Sequence, residues 1–178
     1  MDIIYLSDAT SKSLDVVVGG FYDLNRTYDR CVSILQNTWS MPQASDIVHH
    51  KLSHLFPIMA DFVADFKSQY NVNTAYPETH ADARTYTNLL DMMETVLKET
   101  GNQYEMIKAT YKVAHENGDV NACAMLFRLT RMMSVVMDQV ITLRDKAEQL
   151  PTYYDAYDRH ITSWGIDGID LDTVEEMI

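Results

Sequence analysis

Two imidazoles and two carboxylates are the residues of this chain best suited to chemistry. His50 and His54 stand four positions apart, and Asp61 and Asp65 repeat that interval further on. Neutral imidazole and ionised carboxylate both donate to transition metals, iron and zinc among them. A helix turns ~100° per residue. With Val48 at zero, Leu52, Leu55, Met59, Phe62 and Phe66 fall within ~40° of it, whereas the histidines and aspartates fall at roughly 200–260°. The segment therefore buries one side and turns the polar set outward. His50 and His54 can share one ion. The step from His54 to Asp61 is about 10 Å along a helix axis, too far for all four to serve one ion within one chain. A two-fold partner carrying an antiparallel copy would close the gap across an isologous interface. The competing reading is a plain solvated face.

The elements that must position this set are long amphipathic segments. The first spans about 13–36, with Leu14, Val17, Phe21, Leu24, Tyr28, Cys31 and Leu35 on its stripe. Gly19-Gly20 within it marks a close approach by a neighbour or a local kink. The second spans about 43–70. Pro42 suits its first turn, and Pro57 predicts an interior kink. Residues 71–82 are polar and read as a loop. The third spans about 83–116, continuous through Gly101-Asn102. Asn117-Gly118-Asp119 is a tight turn. The fourth runs to about 149, ended by Pro151. The tail is aromatic and acidic, with a short helix near 154–162 and a capping box at Asp172 and Glu175. This is an all-α chain: a four-helix bundle over residues 1–150 and a helical tail over 151–178 that packs on the bundle or on a partner. Connections run short, long, short, so the second and third helices lie parallel.

Composition sets bounds. The chain has 178 residues and is 47% hydrophobic, enough for one domain with a real core. Fourteen basic against 26 acidic residues leave a net charge of −12. That field repels nucleic-acid phosphates and draws cations. No long uninterrupted apolar run or signal peptide is seen, so neither a membrane span nor secretion is expected. Cys31 and Cys123 form no spaced motif and read as reduced thiols of a cytoplasmic protein. The methionines fall on core stripes. His80 and His115 sit near helix ends. Asp167, Asp170 and Asp172 lack the spacing of a calcium loop. No phosphate loop or nucleophile motif occurs.

On these residues the chain resembles the ferritin superfamily. GDVNACAMLF is similar to the junction between the third and fourth ferritin helices. Asp23-Leu24…Tyr28 resembles the Glu-Leu…Tyr of the first, and Ser53-His54 lines up with a Ser-His pair of the second. On that register the ligands of an intrabundle diiron centre fall on Phe56, Met59, Thr100 and Ser134, leaving Asp23 alone. The closest pattern is that of Dps-type miniature ferritins, whose site lies between subunits. Their His-Trp corresponds to Thr38-Trp39, their second His to His50, their Asp to Asp65 and their Glu to Gln69.

The resemblance implies iron storage and protection from oxidative stress at a reduced intersubunit site of His50, Asp65, His54 and Asp61, with zinc as the alternative ion. It implies a homo-oligomer, with a dimer as minimum and a dodecamer as the storage form. Ferroxidase activity would follow only if the reduced site is active. The short N-terminal arm holds Lys12 alone, so DNA binding is not expected. An alternative from another class is a ferritin-fold oligomerisation or interaction scaffold without metal chemistry, using the tail (Tyr153, Tyr154, Tyr157, Trp164) as its surface. A bundle metalloenzyme with an open His-x-x-x-His site, as in the DinB-like group, is a third.

Overall fold

The computed structural model describes residues 5–171; the capping box expected at Asp172 and Glu175 lies outside them. The chain is helical: α1 (Asp8–Asn37), α2 (Pro42–Ile47), a π-helical turn (Val48–Ser53), α3 (Leu55–Gln69), α4 (Leu89–Glu116), α5 (Val120–Gln149), α6 (Tyr154–His160) and a 3-10 turn (Ile161–Ser163).

Side chains start the helices by satisfying the free N–H groups of the first turn. Ser7 Oγ accepts from Thr10 N at the head of α1, and Asn88 does the same for Asp91 at the head of α4. Pro42 occupies the first turn of α2, as expected. That turn has no side-chain cap from its own N-terminus, and Asp158 of α6 supplies one, accepting from Ala44 N at 2.7 Å. Gly118, at φ 74°, makes the turn into α5.

Pairing across the bundle fixes the topology. Tyr28 meets Thr100, Val17 meets Gln103 and Ser13 meets Thr110, so α1 and α4 are antiparallel. Asn25 meets Ser53 and Ser11 meets Lys67, so α1 and α3 are antiparallel too. Hence α3 and α4 run parallel, and the link between them must travel the length of the bundle. It does so along α1: Ala75 N bonds Asp15, Pro77 lies on Gly19, His80 binds Asp23, Arg84 reaches Thr27 and Tyr86 reaches Cys31. Close approach explains the glycine pair. A Cβ at Gly19 would come 2.9 Å from the Pro77 ring, and one at Gly20 would come 2.0 Å from the Gln103 amide oxygen.

The expected stripes of α1 and α5 form the core, whereas on α4 the buried face is turned by about one residue: the expected Leu90, Leu97 and Tyr104 are half-buried and Tyr111 is exposed. Leu14, Val17, Phe21, Leu24, Tyr28, Cys31 and Leu35 of α1 are buried, with Met92, Met93 and Ile107 of α4 and Met125, Leu129, Met132, Met133, Val136 and Val140 of α5. The most apolar 18-residue window of α5 has a mean hydropathy of 1.3, so by length and composition that helix could cross a membrane. Its buried residues nonetheless recur at helical spacing against the bundle, as in the core helix of a soluble protein.

Three boundaries differ from expectation. α1 begins at Asp8, not near 13, because Ser7 caps it there, so Lys12 lies within the helix. α4 begins at Leu89, not near 83, where Arg84 is held outside the helix by Asp82, Thr27 and Glu99. The second segment is interrupted by the π turn before Pro57 is reached. The tail helix closes one end of the bundle: Tyr154 stacks on Trp39 at 4.9 Å, and buried Tyr157 donates to the Leu143 carbonyl.

Candidate metal centre

The site begins with a proline. Pro57 has no N–H, so the carbonyl of Ser53, four residues back, loses its α-helical donor. Asn25 of α1 supplies one, its Nδ2 standing 3.1 Å from Ser53 O and 2.9 Å from Ser53 Oγ. Just before this point the backbone widens into the π turn, with His54 N donating to His49 O, an i→i+5 bond.

Widening changes which side chains face together. On a regular α-helix His49 and His54 would be roughly 140° apart. The i→i+5 turn brings them into line, with ring centroids 4.3 Å apart. His50 joins them, 4.7 Å from His49 and 5.2 Å from His54. One ring nitrogen from each of the three lies within 4.8 Å of the others. Among the described residues this is the one group of three or more His, Cys, Asp or Glu side chains close enough to hold a metal ion.

A carboxylate stands behind the cluster. Asp29 Oδ1 accepts from Ser53 Oγ at 2.6 Å and lies 3.6 Å from His49 Nδ1. That nitrogen is sealed from solvent and has no hydrogen bond; 3.6 Å is too long for one. Asp46, one turn before His50, reaches His50 Nε2 at 3.4 Å.

The sequence placed His50, His54, Asp61 and Asp65 on the outer face, and all four are exposed. The structure brings His50 and His54 together. Asp61 and Asp65 stand outside the cluster, further along α3; Asp61 is near enough to Tyr22 of α1 that its charge adds to burial in raising that phenol's pKa. His49 was missed. A uniform wheel puts it to one side, while the sequence signal that could have found it is the His-His-x-x-x-His run followed three residues later by Pro57.

The bundle interior has a different chemistry at the positions where an intrabundle metal centre would sit. Phe56, Met59 and Thr100 are fully buried. Tyr28 donates to Thr100 Oγ1 at 2.8 Å, since Thr100 itself donates to Val96 O, and the Phe56 ring packs 4.7 Å from the Tyr28 ring. Burial pushes the Tyr28 phenol well above its usual range. Ser134 is exposed, and Asp23 is engaged with His80 at the surface.

Solved structures share this architecture. An open-pore ferritin from the hyperthermophilic archaeon Archaeoglobus fulgidus superposes with a TM-score of 0.82 at 12% identity, covering 90% of this chain and 98% of that one. The chain has the ferritin fold. A humanized archaeal ferritin gives 0.83 at 12% identity, over 93% of this chain and 100% of that one. A closed form of the A. fulgidus ferritin made by site-directed mutagenesis gives 0.81 at 12% identity, over 88% and 96%. No family model and no curated protein matches the sequence. At this identity the likeness is one of fold, and the ferritin-fold helices α1, α3, α4 and α5 are the frame that carries the histidine cluster on its outer side.

Proposed function

We propose that this ferritin-fold chain self-assembles and binds iron at an intersubunit site of the Dps type, in iron storage and protection from oxidative stress. His50 and His54 of one protomer donate, and Asp61 or Asp65 of an antiparallel copy completes the set. The observation that carries this reading is that His50 and His54 converge on the solvent side of the fold, while both aspartates keep to exposed positions. A net charge of −12 draws ferrous ions toward such a face. Two free cysteines suit a cytoplasmic setting. Iron is the cargo, and zinc competes with it for the two imidazoles.

Ferrous iron added to the purified protein, with dioxygen or peroxide, tests the reading by absorbance. Ferric product should form and should be lost in His50→Ala and Asp65→Asn. Light scattering should give a dimer or a larger shell. A monomer that forms no ferric product overturns the proposal.

A second reading has its own support. Phe56, Met59, Tyr28 and Thr100 fill the bundle interior with apolar contacts and neutral hydrogen bonds. A ferritin-fold scaffold for oligomerisation or partner binding needs no more than that. An intact oligomer that binds neither iron nor zinc would favour it.

A further inference from the structure

We propose that His49, His50 and His54 form a three-imidazole site, complete within one protomer, for a divalent ion of the zinc class, with Asp29 as its positioning carboxylate. The inference rests on the reading that this face binds metal, but it differs in donors, ion and dependence on assembly.

Donor chemistry selects the ion. Three neutral imidazoles are borderline-soft nitrogen donors that suit zinc, copper and nickel. With carboxylates absent from the set, iron(II) and manganese(II) lose their preferred oxygen donors, and they stand low in the Irving–Williams order. Three protein ligands also leave a fourth, outward position for water, as in open zinc sites. Zn–N bonds of 2.0–2.1 Å on a tetrahedron need donor nitrogens about 3.3 Å apart. The present spread, within 4.8 Å, closes by side-chain rotation of His50 and His54, both exposed.

His49 is held in the manner of a metal ligand. Metal-bound histidines commonly present their other N–H to a carboxylate, which fixes the ring and strengthens its donor nitrogen. Here Asn25 Nδ2 donates to Ser53 Oγ, which donates to Asp29 Oδ1, and that oxygen faces the buried His49 Nδ1. The chain of donors commits each proton in one direction and leaves Asp29 as the acceptor for His49. Nε2 is then the atom free for the ion. The sealed, unbonded Nδ1 is what such a site presents before a small closing shift.

The backbone is shaped for the same cluster. A π turn is a costly local choice that concentrates at functional sites. This one aligns His49 with His54, which an α-turn would separate. On another side, Gly168 of the tail, at φ 72°, lies against the Lys51 carbonyl inside the same turn and is gripped by Gln139 of α5, with Nε2 donating to Gly168 O at 2.8 Å and Gly168 N donating back at 2.9 Å. The turn is thus braced from α1 and from the tail.

Calorimetry of the full-length protein with zinc chloride alone, and cobalt(II) absorption as a geometric reporter, test the site. One zinc ion per protomer is expected at any assembly state. His49→Ala, His49→Gln and His54→Ala should each weaken binding by at least about 100-fold, beyond the loss of an outer partner. Asp29→Asn should cost about 10–100-fold and shift the cobalt bands while the melting temperature holds. Asp61→Asn and Asp65→Asn should leave zinc affinity unchanged. Full zinc affinity in both His49 variants overturns the site. Loss of zinc in Asp65→Asn overturns its single-chain character, and unchanged cobalt bands in Asp29→Asn overturn the positioning role. Iron oxidation that needs Asp65 but survives His49→Ala, with no zinc bound, removes this inference and leaves the iron reading standing. Zinc binding without iron oxidation does the reverse.

Discussion

Asn25 of α1 donates its side-chain amide to the backbone carbonyl of Ser53 at 3.1 Å, the acceptor that Pro57 cannot serve. The same amide holds Ser53 Oγ at 2.9 Å, so one residue steadies both the break in the helix and the hydroxyl behind Asp29. Removing it in Asn25→Ala should cost about 1–3 kcal/mol, the usual penalty for leaving a partly buried acceptor unpaired. The urea midpoint should fall, and amide exchange should accelerate at Leu52, Ser53 and His54. Unchanged stability and exchange would show that the π turn holds itself.

Lys67 is fully buried and is paired with Asp15, with Ser11 O a further acceptor at 3.3 Å. Asp15 also accepts from Ala75 N at 3.1 Å, so the ion pair ties α3, α1 and the start of the crossover together. Asp15→Ala strands an ammonium group in the core and should cost about 3–5 kcal/mol. The double variant Asp15→Leu/Lys67→Met removes both charges and should recover most of that loss, because the desolvation penalty goes with them. Chemical denaturation of the two variants checks this. A single variant as stable as the double would mean that water or another acceptor already serves Lys67.

Much of the fold was legible because burial follows helical spacing so closely. Leu14 through Leu35 on α1 and Met125 through Val140 on α5 are core residues at the positions their intervals predicted. What failed did so where a tertiary partner overrides local pattern. Tyr86 lies at helical spacing from Leu90, yet it packs on Cys31 in a non-helical segment, and α4 waits for its cap at Asn88. The Asn88-x-x-Asp91 pair was a readable start signal: Asp91 accepts from Thr87 N while Asn88 accepts from Asp91 N. At the site, the outward orientation of His50, His54, Asp61 and Asp65 was visible from the wheel. His49 was not, because a wheel assumes one pitch and the π turn changes it. Nor could spacing show that Ser53 of the π turn would meet Asn25 and Asp29 of α1 behind it, since the two elements are far apart in sequence.

His80 links the crossover to α1. Its backbone N donates to Asp23 Oδ1 at 2.7 Å, and its Nδ1 lies 3.0 Å from Asp23 Oδ2. That hydrogen bond first, and the Asp23 charge with it, raises the imidazole above its ordinary 6.5. A raised folded-state value means the protonated form is the better bound. The extra hold on the crossover is complete below the ordinary value and fades as pH climbs through the raised one. His80→Gln should abolish this slope and leave stability at high pH unchanged. A titration of the His80 ring by NMR, beside exchange rates for residues 78–82, reads both. An ordinary or lowered ring pKa would contradict the contact.

Gly168 is the point at which the tail meets the histidine-bearing turn, and it tests whether the two are coupled. Its φ of 72° disfavours any side chain, and an added Cβ would stand 2.4 Å from the Lys51 carbonyl oxygen. That atom is backbone and cannot rotate aside, so the strand of tail must lift. Both hydrogen bonds to Gln139 would then open, along with the burial of Ile166 beside them. Gly168→Ala should therefore destabilise by about 1–3 kcal/mol, the range for strained backbone and overpacking. It should expose the chain after Ser163 to limited proteolysis, while the bundle resists. Because the displaced contact is with the π turn, amide exchange at Lys51 and Leu52 should quicken in the same variant. Gln139→Ala loses the grip without the clash and should give the same pattern more weakly. Protease sensitivity confined to the tail, with exchange at Lys51 and Leu52 unaltered, would mean the turn stands without that brace.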